Sequence, residues 1–134
     1  MATTSDQLRC IVVTPEATVL DTTASFVALP LYDGELGVAR NHSPMIGRLG
    51  YGELRLVMDG TTERYYIDGG FVQVAENVVS VLTNRSVPAA AVDADVASAQ
   101  LAEALARRPA GEEELKIRDR LIRQARAQLR IAHR

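Results

Sequence analysis

Gly34-Glu35-Leu36-Gly37-Val38-Ala39-Arg40-Asn41-His42-Ser43-Pro44, then Tyr65-Tyr66-Ile67-Asp68-Gly69-Gly70-Phe71-Val72-Gln73-Val74 and Asn77-Val78-Val79-Ser80-Val81-Leu82, read as β-structure punctuated by glycine. Valine, isoleucine and aromatic residues gather in runs too short for helices, and each run stops at turn residues. Working outward, the stretch from Leu8 to about Leu82 keeps that rhythm, with turn signals about every 8 to 12 positions. Strands are expected at Leu8 to Thr14, Ala17 to Asp21, Ser25 to Pro30, Gly34 to Ala39, Met45 to Leu49, Gly52 to Met58, Thr62 to Asp68, Phe71 to Ala75 and Val78 to Thr83. Asp59-Gly60 predicts a tight primed hairpin turn, which needs positive φ at its centre, and Glu76-Asn77 predicts the next one. This spacing belongs to an all-β sandwich or barrel.

After Arg85 the composition changes. Val87-Pro88-Ala89-Ala90-Ala91 reads as a connector, and Asp93 can cap a helix whose Ala94, Ala97, Leu101, Ala104 and Leu105 share one side. Pro109-Ala110-Gly111 ends that helix. A second begins in Glu112-Glu113-Glu114, where acids suit the positive end of the helix dipole, and runs toward His133. On it Leu115, Leu121, Ile122, Ala125, Leu129 and Ala132 form an apolar face, with Lys116, Arg120, Arg123, Arg130 and Arg134 opposite. Arg118 falls off the basic stripe toward the apolar side. The chain thus divides into a β-domain at 1–86 and an antiparallel α-helical hairpin at 88–134. Alanine-rich faces bury little, so the hairpin needs to dock on its own β-domain or on a partner.

Composition limits the function. The chain has 134 residues and 47% hydrophobic residues, enough for a folded core, and its single cysteine excludes an internal disulfide. Cys10, within Cys10-Ile11-Val12-Val13, reads as a small core residue. No apolar run approaches the roughly 20 residues that cross a bilayer, so membrane association is expected only through protein. Met1 to Gln7 shows no export signal, which predicts a chain that stays where it is made or has already lost a presequence. The net charge of -2 hides an asymmetry: residues 1–110 hold 13 acids and 8 bases, and residues 111–134 hold 4 acids and 7 bases.

Asp33, Glu35, His42 and Ser43 lie close together in sequence, but no nucleophile elbow or metal-ligand spacing accompanies them. They read as turn-shaping residues around Gly34 and Gly37. Gly69-Gly70 lacks the third glycine, the lysine and the following helix of a phosphate loop, and reads as a strand bend where another chain approaches. The basic stripe admits three readings: a solvated face, a partner-docking face or an RNA-binding arm. RNA is disfavoured by the absence of tryptophan and an aromatic content of 4%. The alternative to an assembly subunit is a small β-barrel binding module whose basic helical arm takes RNA or an acidic protein.

In their order, the Gly34 to Pro44, Tyr65 to Val74 and Asn77 to Leu82 runs closely resemble the N-terminal domain of the epsilon subunit of F-type ATP synthases, the subunit called delta in mitochondria. The resemblance is strong to residue 85 and looser over the helices. It implies a β-sandwich of about ten strands and a mobile helical hairpin. It also implies a non-catalytic rotor subunit of the central stalk in a proton-translocating complex. Tyr32, Asp33, Gly34 and Glu35 would then face the membrane ring of c subunits. His42, Ser43, Pro44, Gly70 and Phe71 would meet gamma. Where the family usually carries a proline-based turn before the histidine, this chain has Arg40-Asn41, and asparagine tolerates the positive φ such a turn needs.

The resemblance further implies that the hairpin folds against the β-domain or extends along gamma. Extended, the basic residues Lys116, Arg120, Arg123, Arg130 and Arg134 would face an acidic surface of the catalytic beta subunit and restrain ATP hydrolysis. No cofactor is implied. Some relatives bind ATP through Ile/Leu-Asp-x-x-Arg-Ala, but Glu113-Glu114-Leu115-Lys116-Ile117-Arg118 keeps an acid, places the arginine one position late and lacks the alanine. Weak or absent ATP binding is expected. The implied location is the inner face of an energy-transducing membrane, on the cytoplasmic side of a bacterial plasma membrane or on a thylakoid, attached through the complex.

Overall fold

A computed structural model describes residues 7–133. Its strands are β1 (Leu8–Val13), β2 (Thr18–Ala24), β3 (Phe26–Leu31), β4 (Gly34–Ala39), β5 (Met45–Met58), β6 (Thr61–Ala75), β7 (Val78–Leu82) and β8 (Ser86–Pro88). A 3₁₀ turn at Ala89–Ala91 leads to helices α1 (Ala94–Ala106) and α2 (Glu112–Ala132). The strands join in the order β2-β1-β7-β6-β5-β3-β4, with β8 on β6.

The sandwich arises because β5 and β6 serve both layers. Residues Phe71 to Ala75 of β6 pair with β7, while Tyr65 to Ile67 pair with β8. Likewise Met45 to Leu49 of β5 run beside the second half of β6, and Arg55 to Val57 lie against β3. Layer one is therefore β2-β1-β7 plus the late half of β6 and the early half of β5. Layer two is β4-β3 plus the late half of β5, the early half of β6, and β8.

The sequence reading split β5 and β6 at their glycines and took Val87 and Pro88, which fall in β8, as the start of a connector. Each strand instead bends and runs on through its glycines in constant register, the ladder skipping only Gly50 and Gly69. Counting each half separately, ten strand segments result: the nine expected from the sequence, and β8. The bend at Asp68-Gly69-Gly70 needs glycine for a definite reason: Gly70 has φ 109°, and a Cβ there would collide with the backbone carbonyl of Leu82. The approaching chain is the protein's own β7.

Inward-facing residues from both layers meet in one core. Leu8, Cys10 and Val12 of β1 and Val79 and Val81 of β7 pack with Val27, Leu29, Val38, Leu54 and Leu56 across the sandwich. Alternation along each strand puts every second side chain there, as a two-layer fold requires. Burial pushes the Cys10 thiol up to about 12, the response of an ionisable group held among apolar neighbours. Both predicted tight turns form: φ is 51° and 77° at Asp59 and Gly60, and 51° and 64° at Glu76 and Asn77.

Asp93 caps α1, its carboxylate accepting from the Asp95 N–H at 2.9 Å and the Val96 N–H at 3.2 Å. Glu112, Glu113 and Glu114 occupy the first turn of α2. Arg118 leaves the basic stripe because its guanidinium reaches the Leu105 carbonyl near the end of α1, at 3.4 Å.

The hairpin lies on the outer face of layer two. The expected apolar face of α2 accounts for part of this: Ile122 and Ala125 are buried, but Leu115 is 45% exposed. A second buried strip, Ala127 and Ile131, packs on Tyr66 of the sheet with Tyr51, Val87, Ala89 and Val92 around it. An antiparallel hairpin docked through one helix requires that helix to carry two contact faces, one for its partner helix and one for the sheet. A single-face reading of the periodicity missed the second.

Candidate functional site

Layer two is covered by α2, and among the described residues layer one is bare. On its outer face Ile46 is 76% exposed, Phe71 59% and Leu82 54%. Phe71 stands directly opposite Leu82 on one side and Arg48 on the other, and Ile46 opposite Gln73. These side chains form one surface by strand register alone. Contiguous exposed apolar residues of this size mark contact surfaces. Ile46 and Leu82 were missed as contact residues. The available signal was the unbroken apolar run at Val81-Leu82 and Met45-Ile46, where one residue of each pair must face outward.

An open groove of about 770 Å³ flanks this face, lined by Tyr32, Arg48, Tyr51, Gly70, Phe71 and Leu82 among others. It brings together Tyr32, expected at the ring contact, with Gly70 and Phe71, expected at gamma. Tyr32 and Asp33 form the two-residue turn between β3 and β4, and the Tyr32 N–H donates to the Arg48 carbonyl at 2.8 Å. The Arg48 guanidinium carbon lies 4.1 Å from the Tyr32 ring centre and that of Arg123 lies 5.5 Å from it. Interaction with Arg123, reinforced by Arg48, holds the Tyr32 phenol below its usual range.

The remaining expected residues separate. Asp33 and Gly34 are exposed at the same turn. Glu35 faces across the sheet instead, where its carboxylate accepts two hydrogen bonds of 3.0 Å from Arg55. Arg55 also reaches Glu53 at 3.5 Å, and the Arg64 Nε donates to Glu53 at 2.8 Å. His42, Ser43 and Pro44 lie at the other end of layer one. There the Asn41 N–H donates to the Asn77 side chain at 2.6 Å, and Asn41 takes φ 65°, so the Arg40-Asn41 turn closes as expected. The His42 Nδ1 lies 2.7 Å from the Ser43 carbonyl.

On α2, Lys116 lies 3.7 Å from Glu113, and Arg120 is exposed. Arg123 and Arg130, with Arg126, line a groove of about 430 Å³ against Leu31, Tyr32, Gly50 and Tyr51. This half of the stripe therefore sits beside the sheet, against the expectation that all of it stands opposite the contact face. Arg134 lies outside the described residues. The contact between α2 and the sheet has a polar centre. The Tyr66 hydroxyl donates to Asp68 Oδ1 at 2.7 Å, and the Gln124 amide donates to the same oxygen at 2.9 Å. Burial, with Asp68 adjacent, pushes the Tyr66 phenol well up, while Gln128 acts on it in the opposite sense. Asp68 is held in turn by its own N–H, which donates to the Arg85 carbonyl and the Thr83 hydroxyl, each at 3.1 Å.

The family model described as "ATP synthase, Delta/Epsilon chain, beta-sandwich domain" matches residues 7–89. A protein of Rhodopirellula baltica named ATP synthase epsilon chain is 55% identical over 125 residues, 93% of this chain and 98% of its own length. A protein of the same name from Symbiobacterium thermophilum is 42% identical over 83 residues, 61% of this chain and 60% of its own. Among solved structures, a chain of the Euglena gracilis mitochondrial ATP synthase assembly containing OSCP, F1 and c-ring superimposes with a TM-score of 0.76 at 24% identity, covering 98% of this chain and 81% of that one. A chain of the Tetrahymena thermophila mitochondrial central stalk and c-ring gives 0.74 at 14% identity, covering 93% and 96%. At these identities the two superpositions speak for the fold.

Proposed function

The chain belongs to the ATP synthase delta/epsilon family, as an epsilon chain, and from that premise we propose that it links gamma to the c-ring in the rotating stalk and regulates ATP hydrolysis through its hairpin. The observation that carries this reading is the division of the sandwich into a covered and a bare outer face. A rotor clamp needs one permanent contact surface, and Ile46, Phe71 and Leu82 supply an apolar one of the kind that partners bury. Gamma takes this face, with Gly70 and Phe71 at one end and His42, Ser43 and Pro44 at the other. The turn at Tyr32, Asp33 and Gly34 meets the ring, with Glu35 acting from its ion pair with Arg55.

Residues 1–86 form the gripping domain and residues 88–134 the regulatory one. Released from the sheet, α2 presents Lys116, Arg120, Arg123 and Arg130 to the catalytic beta subunit. The chain itself performs no chemistry and needs no cofactor. No helix among the described residues is long and apolar enough to cross a membrane. Attachment therefore runs through the complex, on the membrane face that carries the catalytic head.

The test is to assemble the complex with a chain lacking residues 88–134 and to measure membrane ATPase activity and proton pumping. Raised hydrolysis with pumping retained supports the reading. Unchanged hydrolysis removes the regulatory role, and full coupling after replacing Asp33 and Glu35 together removes the ring contact.

A further inference from the structure

Two grooves on the sandwich share one wall. The larger runs along the bare face past Arg48, Phe71 and Leu82, the smaller runs beside α2 past Arg123, Arg126 and Arg130, and Tyr32 lines both. Tyr32 is 49% exposed, so a second molecule can reach it while Arg123 is in place. Its backbone is tied to Arg48, so the ring cannot leave with the helix. The acid that acts on Arg123, Asp119, lies on its own helix, and across the interface Tyr32 acts on it most strongly. Tyr32 is thus the sheet-side partner of Arg123. The rest of the docking surface is Tyr66 against Ala127 and Ile131, with Tyr51, Val87, Ala89 and Val92 around them, and the Gln124 hydrogen bond to Asp68.

We infer that Tyr32 couples the seating of a c-ring loop on its turn, at the Tyr32 side of the larger groove, to the position of the hairpin. Arg123 holds the Tyr32 ring and hydroxyl while α2 lies on the sheet. A partner loop seated over Tyr32 takes that hydroxyl and ring face, Arg123 loses its partner, and the balance shifts toward the undocked hairpin. Linkage makes the effect reciprocal: a docked hairpin weakens the partner by the same factor. An exposed cation-to-phenol contact is worth about a three- to tenfold change in such a ratio. The inference rests on the proposed contact between the Tyr32 turn and the c-ring.

The experiment uses the full chain with spin labels at Glu16→Cys, on the β1–β2 turn, and Ser98→Cys, on α1, read by pulsed dipolar spectroscopy. Cys10 is buried and stays unlabelled. Tyr32→Ala is expected to raise the undocked-to-docked ratio of the free chain three- to tenfold without moving its thermal midpoint for the β-domain, whereas Thr23→Ala, at an exposed position on β2, leaves the ratio unchanged. An unchanged ratio in Tyr32→Ala overturns the inference. Purified c-ring is then added. Binding with a shift toward the undocked distance is expected, together with three- to tenfold tighter ring binding by Arg123→Gln. Ring binding with unaltered distances and unaltered Arg123→Gln affinity overturns the coupling and leaves the ring contact standing. Absence of ring binding overturns the contact and the coupling together.

Discussion

The two buried interfaces of this molecule are built from different material. Inside the sandwich, leucine, valine and isoleucine from β1, β3, β4, β5, β6 and β7 close on one another around the Cys10 thiol. Between sheet and hairpin, one alanine and one isoleucine of α2 meet a tyrosine rimmed by the half-buried Tyr51, Val87, Ala89 and Val92, beside an aspartate shared by a phenol and an amide. The first kind of surface loses several kcal/mol for each residue cut away. The second gains little from burial and exchanges its hydrogen bonds for water at a net cost of about 1 kcal/mol each. The difference teaches that the sandwich is a permanent part and the hairpin a detachable one.

Substitutions break or sharpen this contrast in a definite order. Gly70→Val is the most damaging: its Cβ meets the Leu82 carbonyl at a φ β-branched residues avoid, where the two layers share a strand. A loss above about 4 kcal/mol is expected, read as missing soluble, cooperatively unfolding protein by circular dichroism. Leu54→Ala opens the core and should lower the stability of the sandwich by about 2 to 5 kcal/mol in urea titration. It should do so equally in a chain without residues 88–134.

Alkaline pH acts on the core through Cys10. Its thiol stays neutral when folded up to about 12, against an ordinary value of 9.0. Above pH 9 the unfolded chain loses that proton and the folded one keeps it, so this contribution is complete below pH 9 and falls by about 1.4 kcal/mol per pH unit toward pH 12. A Cys10→Ala chain, measured beside the parent at pH 8 and pH 10, should lack that part of the decline. Smallest is Gln124→Ala, which removes one donor from Asp68 and should cost about 1 kcal/mol. Its signature is local: faster proteolysis within the hairpin, with the urea midpoint of the β-domain unmoved.

Most of the fold was legible because its signals are local. Asp59-Gly60 and Glu76-Asn77 carry their turns in their own residues, and Asp93 carries its cap. Where pairing crosses a glycine, local reading failed: Gly69 and Gly70 look like a break, yet hydrogen bonding continues on both sides through β7 and β8. The sheet-facing strip of α2, with Gln124 and Gln128 in it, was illegible because glutamines in a basic helix carry no hydrophobic signal. Gln128 is buried and Gln124 half-buried because of Tyr66 and Asp68, which lie some 60 residues earlier in the chain. The candidate site divides the same way. Phe71 and Gly70 stood out by composition, whereas Ile46, Leu82 and Arg48 join them only through strand register.

Native-state hydrogen exchange on the intact chain tests the contrast most directly, since it measures the free energy of opening at each amide. The account predicts that amides of α2 exchange through a local opening of lower free energy than those of β1, β6 and β7, and that the gap persists across urea concentrations below the unfolding transition. Exchange of α2 amides at the same opening free energy as the sandwich strands would make the hairpin part of the core and contradict a detachable regulatory element.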